Sequence, residues 1–484
     1  MRRCFAFLAL LILLVHSIFP ALGDANQEEH ICDSYAYVIL EDGSVMITRY
    51  DGDDSVLEIP DELDGRPVTR LGPKSFQSAE SLLLLEVPEG VTAIDSYAFM
   101  YCRELTEVEL PDSLKEMGSN PFIGCESLSD LLVSDDHPCL SVEDNVLFIN
   151  EKAGASDIRR LICYPMGMPS GPYDIPEGTN VVGDSAFYGC SALTSITIPN
   201  SVTSINNRTF YMCDGLKSVS LPHDLRTIGA EAFWSCEKLK SLTFPEKISE
   251  IGEKAFMNCR GLRELRLPET ATSIGHMAFE NCSSLTSIHL PEGITILGQA
   301  VFAGCKSLTE LVLPESITNI GNGAFSGCES LREITLPQGL RGIGSHAFSD
   351  CRELKSITVP DKCTGIGAYA FQTCTALEEV HLPSTMYNIP KFAFAGCVSL
   401  TGFEFPEDLE EIEERAFMNC IALQSVELPE YLLYLGEAAF MNCVGLKEVT
   451  LPDGFFEEGS AGPNVFESCT SLTHPPDLTD LIEN

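Results

Sequence analysis

The chain has 484 residues, and its 71 acidic side chains against 30 basic ones leave a formal charge of -41, which opposes general affinity for nucleic acid or for anionic membrane surfaces. Apolar residues make up 44% of it and the 28 prolines are spread throughout, so the acidity is not that of a disordered tail.

The first element is a processing signal. Met1-Arg2-Arg3 is positively charged, "CFAFLALLILLV" is apolar, and Ala21-Leu22-Gly23 supplies small residues where a signal peptidase reads. Together they predict a signal peptide over 1–23 with cleavage before Asp24. An uncleaved anchor is the alternative, although the apolar run is short for a span of about 20 residues. No later segment is long and apolar enough to cross a bilayer, so no transmembrane span is expected in the mature chain.

Residues 24–70 follow as an N-terminal cap, with "ITRY" and "VLEIP" reading as alternating strands on either side of "YDGDDS". "DGDD" resembles the opening of a calcium loop, but the Gly and Glu that a twelve-residue EF-hand needs further on are misplaced, and the segment reads as a turn.

From residue 71 the chain keeps a beat. Cysteines at 190, 213, 236, 259, 282, 305, 328, 351, 374, 397, 420 and 443 stand 23 residues apart, and Cys102 and Cys125 keep the same interval. Phe recurs three residues before each cysteine and Leu three after, followed by inward apolar positions and usually Pro. In "LREITLP" (331–337), Ile334 and Leu336 share one side and Glu333 and Thr335 the other, the pattern of a short strand with one buried face. Proline then ends the strand, and the chain turns back through "IGSHAF", with Ile343 and Phe348 inward. Glycines such as Gly229, Gly252, Gly275 and Gly321 are expected to permit a tight bend or a positive φ. The predicted fold is a repeat solenoid over 71–472, a right-handed β-solenoid or horseshoe of 23-residue coils with short parallel strands. The phase breaks between Cys125 and Cys190, where 133–171 reads as a β-hairpin insert, and 473–484 reads as a polar tail.

The recurrent "IGSHAFSDCRELKSITVP" and "IGEKAFMNCRGLRELRLPETA" resemble the BspA-like, or Treponema pallidum type, leucine-rich repeat proteins over about residues 56–472. That resemblance implies an exported or surface-exposed protein of the kind thought to act in adhesion, and a paired-strand insert at "DNVLFINEKAGASDIRRLICYPMG".

Each ladder cysteine sits between an inward Phe and an inward Leu and reads as a small core residue. No CxxC pair marks a zinc site and no cofactor is implied. Bridges between neighbouring coils remain open, and Cys139 with Cys163, flanking the insert, is the expected disulfide. Neither HExxH nor GxSxG nor a phosphate loop occurs, so no enzyme is expected.

The candidate binding lanes are the outward strand positions, five and seven residues past each cysteine: Ser195, Thr197, Ser218, Ser220, Ser241, Thr243, Glu264, Arg266, Ser287, His289, Glu310, Glu333, Thr335, Ser356, Thr358, Glu379 and His381. They point to a secreted or cell-surface binding protein whose partner is an extracellular or cell-surface protein, a host-derived one being what the family resemblance implies. A structural spacer and a glycan-binding module are the alternatives, the latter weakened by the lack of aromatic platforms in the lanes. Lys217, Lys240 and Arg263, four past the cysteine, form a basic stripe expected to be offset by carboxylates such as Glu237 or Glu264.

Overall fold

The computed structural model describes residues 28–154 and 156–481. The predicted signal peptide therefore lies outside the described residues. Two compact units divide the chain, one through Ser141 and one from Val142.

The first unit begins with three antiparallel strands, His30–Cys32, Tyr35–Ile39 and Val45–Tyr50. The third then pairs in parallel with Arg66–Leu71, which passes the ladder on to Ala93–Ile94 and Glu116–Met117. A second parallel set runs through Val56–Glu58, Leu84–Glu86, Glu107–Glu109 and Asp130–Leu132. "DGDD" is irregular, and the Tyr50 hydroxyl closes it by donating to Asp54 at 2.6 Å.

The second unit opens on a hairpin, Val146–Ala153 against Ser156–Cys163. Val181–Val182 continues from it in parallel, followed by two-residue strands every 23 residues, such as Ser204–Ile205, Thr227–Ile228 and Glu250–Ile251. Three-residue strands at the predicted positions form the other sheet family, from Ser218–Ser220 to Glu448–Thr450. In most of them exposed residues flank one buried residue, as in Glu333–Ile334–Thr335. No three-residue strand forms at Ser241–Thr243 or around 402–404, the coils in which Phe244 and Phe405 replace the usual aliphatic residue before proline. Both rings pack edge-on against ladder phenylalanines, Phe244 on Phe256 and Phe405 on Phe417. The larger ring accounts for the local loss of strand geometry.

From Phe76 to Phe440 the ladder Phe is buried, with Phe466 in the last coil only partly so, and successive rings stack with centroids about one coil apart, for example 5.1 Å for Phe233–Phe256 and 5.4 Å for Phe348–Phe371. The cysteines line the core beside them, as their spacing implies. Each also has a polar task, since the Sγ of one coil donates to the carbonyl of the Phe one coil back: Cys259 to Phe233 at 3.0 Å, Cys328 to Phe302 at 3.2 Å. The same carbonyl accepts the N–H of its own coil's cysteine, as Phe302 does from Cys305 at 3.1 Å. The thiol thus occupies the carbonyl's second lone pair inside an apolar core. Burial pushes the Cys328 and Cys420 thiols up to about 12.

The turn wall carries a third hydrogen-bond ladder. Glu231, Phe233 and Ser235 donate their N–H groups to the carbonyls of Glu253, Ala255 and Met257 in the next coil, at 2.8, 2.7 and 2.8 Å. The first and third of these donors must be left-handed to aim the N–H groups one way. Glu231 (φ 56°) and Ser235 (φ 56°) are, as are Lys254 and Asn258 one coil later. The glycines preceding this wall have a different role from the one expected. Gly252 and Gly275 are not in positive φ, but a Cβ would stand 2.6 Å from Ala230 N and 2.4 Å from Glu253 N respectively. Close coil-to-coil approach is what excludes a side chain there.

The expected Cys139–Cys163 disulfide is not formed in this structure. Cys139 Sγ donates to the Leu114 carbonyl at 3.4 Å, while Cys163 is buried at the end of the hairpin. At the far end Leu478 enters the core and Thr479–Leu481 forms a single 3-10 turn.

Two outcomes test this account. Gly275→Ala must push adjacent backbone apart and is expected to cost about 1–3 kcal/mol in urea unfolding. The raised thiol pKa values make the folded state the stronger proton binder between the unfolded value near 9 and about 12. Their contribution is therefore whole below pH 9 and is lost as pH rises toward 12. The melting temperature should fall progressively above pH 9, and Cys328→Ala, less stable by about 1–3 kcal/mol at pH 7, should show a shallower alkaline decline.

Candidate recognition surface

The strand registers determine which predicted residues meet. Ser195 stands beside Ser218 and Thr197 beside Ser220 on paired parallel strands. Glu264 lies beside Ser287, Arg266 beside His289, Ser356 beside Glu379 and Thr358 beside His381. Glu310 pairs with Glu333, and Thr335 pairs with Val312, which is 80% exposed. Ser241 and Thr243 are exposed but belong to the coil without a strand. Apart from half-buried Ser195, every candidate lane residue is exposed. Buried neighbours such as Ile196, Leu265, Ile334 and Ile357 hold the backbone, so the outward side chains form regular rows.

Within these rows charges are partly spent on each other. Glu269 lies 3.4 Å from Arg266 and 3.3 Å from His289, and Glu379 lies 2.9 Å from His381. Glu310 and Glu333 have no ion-pair partner among the described residues, although the register sets them side by side. Like charges so placed oppose folding.

The first unit carries equivalent rows, of which the cysteine spacing reveals only the positions that follow Cys102 and Cys125. Val56, Leu84, Glu107 and Asp130 form one row, and Glu58, Glu86, Glu109 and Leu132 the other. The first of these coils has no ladder cysteine and the second has Ala79 in its place, whereas Leu82, Leu105 and Leu128 keep the beat. A cleft of about 380 Å³ lies along this face, with Glu86, Glu89, Glu109 and Asp112 in its walls. The Glu89 carboxylate is occupied, accepting N–H groups from Asp112 at 2.9 Å and Ser113 at 3.2 Å. Among the described residues no three His, Cys, Asp or Glu side chains are grouped to hold a metal ion.

Two aromatic rows also lie outside the strand lanes. Tyr188, Tyr211 and Trp234 stack with centroids 5.0 and 5.2 Å apart, and His346, Tyr369 and Phe392 at 4.5 and 4.7 Å. Arg415 continues the second row, 5.6 Å above Phe392. Their signal is visible in retrospect: each set repeats at 23 residues on the returning side of the coil. On the same side, asparagines bridge neighbouring coils: Asn207 accepts the Ala230 N–H at 2.8 Å and Asn281 donates to Asn258 at 3.1 Å.

A family model for the BspA type leucine-rich repeat region matches residues 67–149, 180–309, 249–378, 295–410 and 387–476. The chain belongs to the BspA-type leucine-rich repeat family. As a family of repeat proteins it is one of binding and recognition, and such proteins are generally non-catalytic. A leucine-rich repeat protein from Bacteroides ovatus is similar at 27% identity, covering 69% of this chain and 93% of its own, with a TM-score of 0.58. A leucine rich cell surface protein from Faecalibacterium prausnitzii shares 23% identity over 90% of this chain and 98% of its own, at a TM-score of 0.41. The T. pallidum leucine-rich repeat protein shares 23% over 63% of this chain and 92% of its own, at 0.29. No curated protein matches the chain.

The stacked carboxylates provide a direct test of the rows. Glu333→Gln should stabilise the protein by about 0.2–1 kcal/mol at low ionic strength. The gain should shrink in high salt, as measured by thermal unfolding in matched buffers.

Proposed function

We propose that this BspA-type repeat protein is exported and acts as a non-catalytic adhesion or recognition scaffold at a cell surface or in the extracellular space. Its partner is a protein on another cell or in matrix, host-derived where the producing cell lives on a host. The contacts run along the outward strand rows, above all Glu264–His289, Glu310–Thr335 and Ser356–His381.

One observation carries this reading: residues on both sides of a buried strand residue are exposed in coil after coil, so a broad, rigid array of hydroxyls, carboxylates and imidazoles is held in fixed register. Such a surface loses little conformational freedom on binding. Exposed Val312, beside Thr335, adds an apolar contact to the array. The export signal at the N-terminus and the family resemblance support the location, and the Faecalibacterium relative is itself described as a cell surface protein.

The experiment is capture of the labelled mature protein by intact cells and by a panel of matrix proteins at physiological salt, with and without protease treatment of the target. Protease-sensitive capture is expected. Glu333→Lys with Glu379→Lys should weaken it at least tenfold without changing the circular dichroism spectrum. Failure to bind any target, or binding indifferent to these substitutions, would remove the assignment of the rows.

A further inference from the structure

The acidic character of the chain is not uniform. Residues 217–266 contain nine Lys and Arg against seven Asp and Glu, within a protein whose totals are 30 and 71. The strand edges of the three coils concerned, residues 214–220, 237–243 and 260–266, hold six cations and three carboxylates.

Lys217, Lys240 and Arg263 occupy one register there, one coil apart, and all three are exposed. The expected salt bridging is absent: among the described residues no carboxylate lies within ion-pairing distance of any of the three. Glu237 is engaged by Arg260 instead, at 3.7 Å. In the same register further along, Arg332 is held by Glu353 at 2.8 Å, while Lys355 and Lys447 stand singly and not in adjacent unpaired coils. Parallel coils about 4.8 Å apart therefore present three uncompensated cations in a line, at a cost in mutual repulsion. With a screening length of about 8 Å at physiological salt, this local field and not the net charge governs what docks there.

The neighbours of the stripe define the ligand chemistry. Ser218, Ser220, Ser241 and Thr243 expose hydroxyls beside it, and no exposed apolar side chain occupies these strand positions, unlike Val312 or Leu132 elsewhere. An acidic protein segment would want apolar anchors to bury. A polyol carrying acid groups needs only cations and hydroxyl partners.

We propose that Lys217, Lys240 and Arg263, with the hydroxyls beside them, bind an anionic polysaccharide whose sulfate or carboxylate groups meet successive coils. This site shares the lane hydroxyls of its three coils and borders Glu264, but its cations stand in a different register from the carboxylates Glu333 and Glu379, so the two sets of variants let either assignment fail without the other.

The test is retention of the full mature protein on immobilised sulfated dextran, polygalacturonate, plain dextran and polyglutamate, read by surface plasmon resonance. The variants are Lys217→Ser/Lys240→Ser/Arg263→Ser and, as a charge-matched control, Lys115→Ser/Lys362→Ser/Arg226→Ser, all exposed positions. Retention on at least one of the two anionic polysaccharides is expected at physiological salt. It should be lost as salt is raised, fall tenfold or more in the stripe variant, and change less than twofold in the control. Equal loss in both variants would reduce the effect to net charge and overturn the proposal. So would equal retention on plain dextran, or no retention on either anionic polysaccharide. Tighter retention on polyglutamate would assign the stripe to an acidic protein segment instead.

Discussion

Everything in this molecule depends on coils stacking closely enough for backbone to meet backbone on every side. The turn wall imposes the strictest form of that constraint. Residues four apart, such as Glu231 and Ser235, adopt left-handed φ so that the N–H groups of the wall point at the next coil. That conformation is costly for a residue with a Cβ. Repeated hydrogen bonds offset it, together with a core in which Phe rings stack directly behind the wall. A single coil could bury neither the ring nor the carbonyls, so stability belongs to the array.

The cysteine beat follows from the same constraint. A side chain at that position must be small enough to lie between stacked Phe and Leu residues and polar enough to reach a buried carbonyl. A thiol meets both needs, and the bond from Cys259 to the Phe233 carbonyl shows how. Alanine would leave the carbonyl with a lone pair facing apolar matter. Burial also keeps these thiols protonated, which makes a repeated cysteine compatible with chemical inertness.

Because the inward side chains hold the coils, the outward ones are released from structural duty. The rows through Glu310 and Glu333 and the stripe of Lys217, Lys240 and Arg263 both place like charges side by side. Folding gains nothing from either arrangement, and that is the observation from which both binding proposals start. The two surfaces differ in sign, and so call for partners of different chemistry from one scaffold.

The fixed 23-residue period was sufficient to establish the coil, its inward Phe, Cys and Leu, and the outward rows, because side-chain direction in a short strand follows from alternation alone. Membership of the BspA-type repeats was legible for the same reason. What period could not convey was contact between coils, since that depends on register and separation in space. The glycines at 252 and 275 are needed for backbone approach and not for a left-handed turn, and the Cys139 thiol donates to the Leu114 carbonyl one coil back. Phe244 and Phe405 interrupt strands that their coils otherwise predict. Sequence by itself determined which residues face in and which face out; tertiary structure decided which of the outward charges are neutralised, because an ion pair requires two flexible side chains to reach one another across neighbouring coils.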